Sequence, residues 1–135
     1  MRARLLVGAL FAAVLGVLAV AAVAAVEPTA GARQQGIAFF LRPTQVAGVV
    51  LQGKTLIVHD DQKMARGEPC TTIYGYHGKQ VKPLVSFMCK PEARPVAQKM
   101  VVKCVTNTLT WTTDVMTEYQ FAGESEAHRV PSSKY

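Results

Sequence analysis

Residues Leu5 to Val26 form a 22-residue run without a single charge, and no other feature constrains this chain as much. Arg2 and Arg4 stand before the run. Small residues follow it, and both Ala22-Val23-Ala24 and Ala30-Gly31-Ala32 fit the A-x-A cleavage rule. Basic, apolar, small is the order of a secretory signal peptide. The run also reaches the ~20 residues that a membrane-crossing helix needs. Residues 1–32 are therefore expected to be a signal peptide or, if uncleaved, an anchor in the inner membrane through residues 5–26. Either way, positive charge ahead of the run keeps the N-terminus inside and sends the rest across. The expected location is periplasmic or secreted. No cysteine precedes Cys70, which excludes lipid attachment just after the run.

What remains is enough for one small domain with one modest core. The whole chain carries a formal net charge of +6. Its lysines, from Lys54 to Lys134, are scattered rather than clustered. A phosphate-binding surface needs cations gathered on one face, so no nucleic-acid partner is expected.

Beyond residue 32 the pattern favours strands. β-Branched and aromatic residues are dense, and turn residues recur at short intervals. Ile37–Leu41, Val46–Leu51, Thr55–His59, Cys70–Tyr76, Val81–Lys90 and Val96–Thr106 read as strands, with Gln52-Gly53-Lys54 turning the second into the third. Residues 60–69 read as one or two helical turns, with Asp60 as N-cap and Gly67 as the stop. Pro91–Pro95 reads as a loop. Leu109–Phe121 alternates, which places Leu109, Trp111, Tyr119 and Phe121 on a core-facing row. The expected fold is all-β: a small antiparallel sandwich or barrel of six to seven strands over residues 33–121. Residues 122–135 are expected to be a flexible, solvated tail.

Cys70, Cys89 and Cys104 would meet an oxidising compartment, where two of them are expected to pair. Across a hairpin, paired positions keep a constant index sum. Joining Cys70 to Cys89 centres that hairpin between Lys79 and Gln80 and pairs Thr72 with Phe87 and Tyr74 with Val85. Cys70–Cys89 is the favoured disulfide; Cys89–Cys104 and no bridge stay open. The odd thiol is expected to be a buried small hydrophobe, with a reactive or intermolecular thiol as the alternative.

Motifs for catalysis are missing. No G-x-S-x-G elbow, Gly-rich phosphate loop, zinc spacing or C-x-x-C-H occurs. The Cys–His–Met spacing of a blue-copper site is absent as well. The cluster His59-Asp60-Asp61 is accounted for by a strand end followed by a helix cap. No catalytic residue and no cofactor are expected. The leading expectation is an exported, non-catalytic binding or accessory module of a periplasmic or cell-surface assembly, with an unspecified protein partner or surface ligand. Its candidate surface is Tyr74, Tyr76 and His77 at a loop tip. The alternative is a copper-handling protein using His59, Met64, His77 and Met88. The second alternative is a thiol-dependent enzyme pairing Cys70 or Cys89 with His59 or His77.

Overall fold

The computed structural model describes residues 33–133. The expected signal peptide or anchor at residues 1–32 lies outside them. The described chain is nearly all β: a curled half-barrel sheet of eight strands with one short helix. In chain order these are β1 (Arg33–Val46), β2 (Val49–Asp60), α1 (Asp61–Ala65), β3 (Thr71–His77), β4 (Gln80–Phe87), β5 (Lys90–Ala93), β6 (Val101–Thr106), β7 (Asp114–Gln120) and β8 (Glu126–Arg129). The sheet runs β4-β3-β2-β1-β7-β8-β5, with β6 paired to β7. All pairings are antiparallel except the short parallel contact of Thr44 and Gln45 with Asp114 and Val115.

β1 and β2 make one long hairpin. The turn is Ala47-Gly48, both at positive φ (48° and 85°), not the expected Gln52-Gly53-Lys54. Two left-handed residues fit the right-handed twist of the flanking strands. Gly53, at φ 87°, lies inside β2 opposite Phe40. Next to it the register slips between Phe40 and Thr44, where Pro43 has no amide hydrogen to give the ladder. What reads as two strands and a turn is therefore one irregular strand.

Asp60 caps α1 as expected, its Oδ1 accepting from the Gln62 and Lys63 amides at 2.9 and 3.2 Å. Gly67 takes φ 70° just after the helix. The β3–β4 hairpin turns at Gly78-Lys79, with His77 opposite Gln80. Its register differs by one from the expected one: Thr71 faces Phe87, and Ile73 faces Val85. A slip after Ile73, beside Pro83, leaves Leu84 without an opposite residue.

Four segments depart from the sequence reading. Residues 96–100, expected to open a strand, are irregular, and β6 starts only at Val101. Lys90–Ala93, placed partly in a loop, is β5 and pairs with β8. Residues 122–133, expected to be a solvated tail, hold β8, and Ala127 and His128 there are buried. Short, charged β8 has too few residues to display a period, so pairing on both edges makes it a strand. Residues 107–113 form a loop instead of the start of a long strand. It is closed by Asn107 accepting from the Trp111 amide and donating to Thr113. Trp111 sits at φ 57° and is exposed, as is Leu109, so neither is core. Cys104 is also exposed, against the expectation of a buried thiol. It lies just past the slip in the β6–β7 register between Lys103 and Cys104.

The core lies on the inner face of the curled sheet, around Phe40, Val46, Leu51, Ile57, Ile73, Val85, Phe87, Met116, Tyr119 and Phe121. Its inward row on β2 continues Thr55, Ile57, His59, and all three are fully buried. The period-2 geometry of a strand therefore delivers an imidazole into the core.

Candidate metal centre

At one end of the half-barrel the inward row of β2, the start of β3, the exit of β4 and the strand β8 converge. They bring together His59, Cys89 and His128, with Cys70 against Cys89, all buried. The ladder fixes His59 and Cys70: His59 pairs with Thr71, and the Asp60 amide donates to the Cys70 carbonyl at 2.9 Å. Past Phe87 the chain leaves β4, which exposes Met88 and turns Cys89 inward. His128 arrives on β8, stacked on Tyr119 with ring centroids 4.9 Å apart.

Cys89 is the hub. Its Sγ lies 3.5 Å from His59 Nδ1, 3.5 Å from His128 Nδ1 and 3.0 Å from Cys70 Sγ. The two imidazole rings stand 4.1 Å apart, centroid to centroid. Ligand atoms of His59, Cys89 and His128 all lie within 4.8 Å of one another. With Zn–S near 2.3 Å and Zn–N near 2.0 Å, the S···N edge of a tetrahedral site is about 3.5 Å. Both S···N separations have that length.

The surroundings orient the ligands. His59 Nε2 lies 2.8 Å from Asp61 Oδ1. A carboxylate only accepts, so Nε2 carries the hydrogen and Nδ1 is turned to the cluster. This carboxylate–imidazole pairing recurs behind metal-binding histidines. Thr71 Oγ1 approaches His59 Nδ1 and hydrogen-bonds Tyr119 Oη, closing the polar shell.

Electrostatics follow from the packing. A hydrogen bond with Cys89 pulls the Cys70 thiol well below its ordinary range against the cost of burial, and His59 helps. The same contact, with burial, pushes Cys89 up. Burial draws His59 down most strongly, but Cys70 and Asp61 together outweigh it, so His59 ends above its usual value. Burial and the charge of His59 push His128 down to about 4. Cys70 and His59 thus favour each other's charged form, while burial disfavours charge on His128.

Of the residues proposed from sequence, His59, Cys70 and Cys89 meet here. The sulfurs of Cys70 and Cys89 are in contact but not bonded. Met64, His77 and Met88 do not join them. Met64 packs on the core from α1, Met88 points outward, and His77 ends β3 at the opposite edge of the ladder. Six residues of strand separate His77 from Thr71, which is ~20 Å. Tyr74 and Tyr76 lie half-buried on the outer row of β3, with Lys54 Nζ 4.7 Å above the Tyr76 ring. They and His77 do not form one exposed tip. His128 escaped the sequence reading because its strand has no visible period. His59 carried a usable signal, since it stands two residues beyond Ile57 on an inward row.

No protein-family model, no curated protein and no solved structure matches this chain.

Proposed function

We propose that this chain is an exported, non-catalytic metal-binding protein. It holds one thiophilic transition-metal ion, zinc or copper, between His59, Cys89 and His128, with Cys70 as the fourth donor. The observation that carries this is the pair of equal 3.5 Å approaches of Cys89 Sγ to two imidazole Nδ1 atoms, one of them backed by Asp61. Two thiols and two imidazoles suit Zn2+ in a tetrahedral frame and copper through the same soft donors. Metal binding would require Cys89 and Cys70 as thiolates and His59 with Nδ1 free of a proton, so uptake would release protons. Burial of every donor supports storage or structure over catalysis. Export rests on the leader-like run at residues 5–26.

The test is metal titration of the reduced full chain. Co2+, standing in for Zn2+, should give the intense visible bands of a tetrahedral site together with a thiolate charge-transfer band. Cu(I) should be withdrawn from bicinchoninate. Elemental analysis of loaded protein should give one ion per chain, and competition between the two metals ranks them. Substoichiometric uptake of both metals, or uptake unchanged in Cys89→Ser and His128→Ala, overturns the reading.

A further inference from the structure

The two sulfurs that would serve the metal are also the two best placed to bond each other. Cys70 Sγ and Cys89 Sγ stand 3.0 Å apart, and the Cys89 amide donates to Cys70 Sγ at 3.3 Å. A disulfide needs about 2.05 Å between sulfurs, so closure asks for a movement of ~1 Å. The third thiol, Cys104, is exposed on β6 and belongs to a different groove, beside Ile37, Leu41 and Asp114. It does not compete for either partner.

Each buried sulfur borders its own surface cleft. Cys70 lines one with Arg33, Asp60 and Lys63; Cys89 lines another with Lys90 and Arg129. Cationic rims suit an anionic small-molecule disulfide such as oxidised glutathione. A sulfur in a disulfide has no thiolate charge to give a metal, and Cys89 is the atom that bridges both imidazoles.

We propose that the site is redox-gated: oxidation joins Cys70 to Cys89 and expels the metal, and reduction restores the site. This rests on the metal-binding reading above. The chemistry is thiol–disulfide exchange. The Cys70 thiolate attacks one sulfur of the small disulfide and releases the first small thiolate. The Cys89 sulfur, leaving the metal as a thiolate, then attacks Cys70 Sγ in the mixed disulfide and releases the second small thiolate; the metal ion departs and the two small thiolates take their protons from solvent. Two protein thiols give up two electrons, and the small disulfide is reduced to two thiols.

The experiment uses the full chain carrying Cys104→Ser, reduced, loaded with Zn2+ and freed of excess. Zinc is chosen because it does not change oxidation state. Oxidised glutathione is added under nitrogen with a chromogenic zinc indicator. The expected result is one zinc released per chain, in step with a Cys70–Cys89 bridge seen by peptide mass mapping. A phosphine reductant should then return the zinc to the protein. A bridged protein that keeps its zinc overturns the gate and leaves the metal site standing. So does zinc release with no Cys70–Cys89 bridge. Reduced protein that never takes up zinc or Cu(I) overturns the metal reading itself. In Cys70→Ser, zinc binding is expected to weaken about tenfold, and glutathione should no longer release it in step with a bridge.

Discussion

His59 shows how one side chain is made into a ligand. It occupies an inward position of a strand, where an apolar residue is the rule and an unpaired imidazole costs free energy. That cost is met on both sides of the ring: Asp61 takes Nε2, and Cys89 and Thr71 face Nδ1. Asp61 is one-third exposed and stands in the first turn of α1. The helix that reads in sequence as a simple cap therefore has a second task, to aim a carboxylate backward at the strand end. Removing the charge while keeping the shape separates the two. Asp61→Asn should leave the fold intact, since Asp60 remains the cap. It should weaken metal binding 10- to 100-fold, the usual loss when a partner behind a metal-bound histidine is changed. Competition against a chelator of known affinity measures this. An unchanged affinity would remove Asp61 from the site.

At the scale of elements, the strands at the far side of the sheet are held by charge as well as by ladder bonds. Glu118 on β7 is 8% exposed and takes both Arg94, at 2.7 Å, and Lys103, at 3.0 Å. Arg94 follows β5 and also reaches Glu92, so the pair ties the β5 segment to β7 across β8. The Arg94 hydrogen bonds hold the Glu118 carboxyl below the usual carboxylate range, with Lys103 adding to the effect. A carboxylate depressed in the folded state stabilises the fold above its unfolded pKa and ceases to do so as pH falls through the folded one. Wild type should therefore lose stability below about pH 4.5 more steeply than Glu118→Gln does. At neutral pH the variant, which leaves Arg94 its bond to Glu92 but weakens its hold on β7, should be less stable by about 1 kcal/mol. Denaturant midpoints at pH 7 and pH 3.5 check both statements, and parallel pH profiles for the two proteins would contradict them. This far side is also where sequence reading failed. The stretch from Thr55 through α1 to β3 is legible because each part carries its own signal: an inward row, an Asp cap, a glycine stop. β5 and β8 carry none. Each is four residues long; β5 is a strand through β8, and β8 through β5 and β7, and a single sequence does not display a pairing partner. The loop at 107–113 misled for the opposite reason. Its alternation is real, but Asn107 closes a turn on Trp111, and the ladder starts only at Asp114.

For the molecule as a whole, the cluster is where distant parts of the chain are joined. Its four donors come from residues 59 to 128, and β8 shares ladder hydrogen bonds with β5 and β7 alone among the described strands. A small half-barrel with an open edge has little apolar burial to spare for holding such a strand. An ion bound by His128 and by three groups on the β2–β3–β4 side would cross-link the two halves directly. Binding to the folded state alone stabilises it by about 4 kcal/mol at a thousandfold excess over the dissociation constant. For a domain near 100 residues, each kcal/mol is worth roughly 4–8 °C in Tm. Zinc should thus raise the Tm of the reduced full chain by on the order of 20 °C, less whatever the unfolded cysteines and histidines bind. The gain should be uneven. Amide hydrogens of β8 and β5 should slow most, because they are the strands the ion newly fastens, while the β3–β4 turn at Gly78-Lys79 should change little. Cys89→Ser should abolish both effects, since it removes the atom that reaches both histidines. A Tm rise of the same size in that variant, or protection spread evenly over the sheet, would mean that zinc acts elsewhere on the surface and that the converging strand ends are a packed core with no metal to hold.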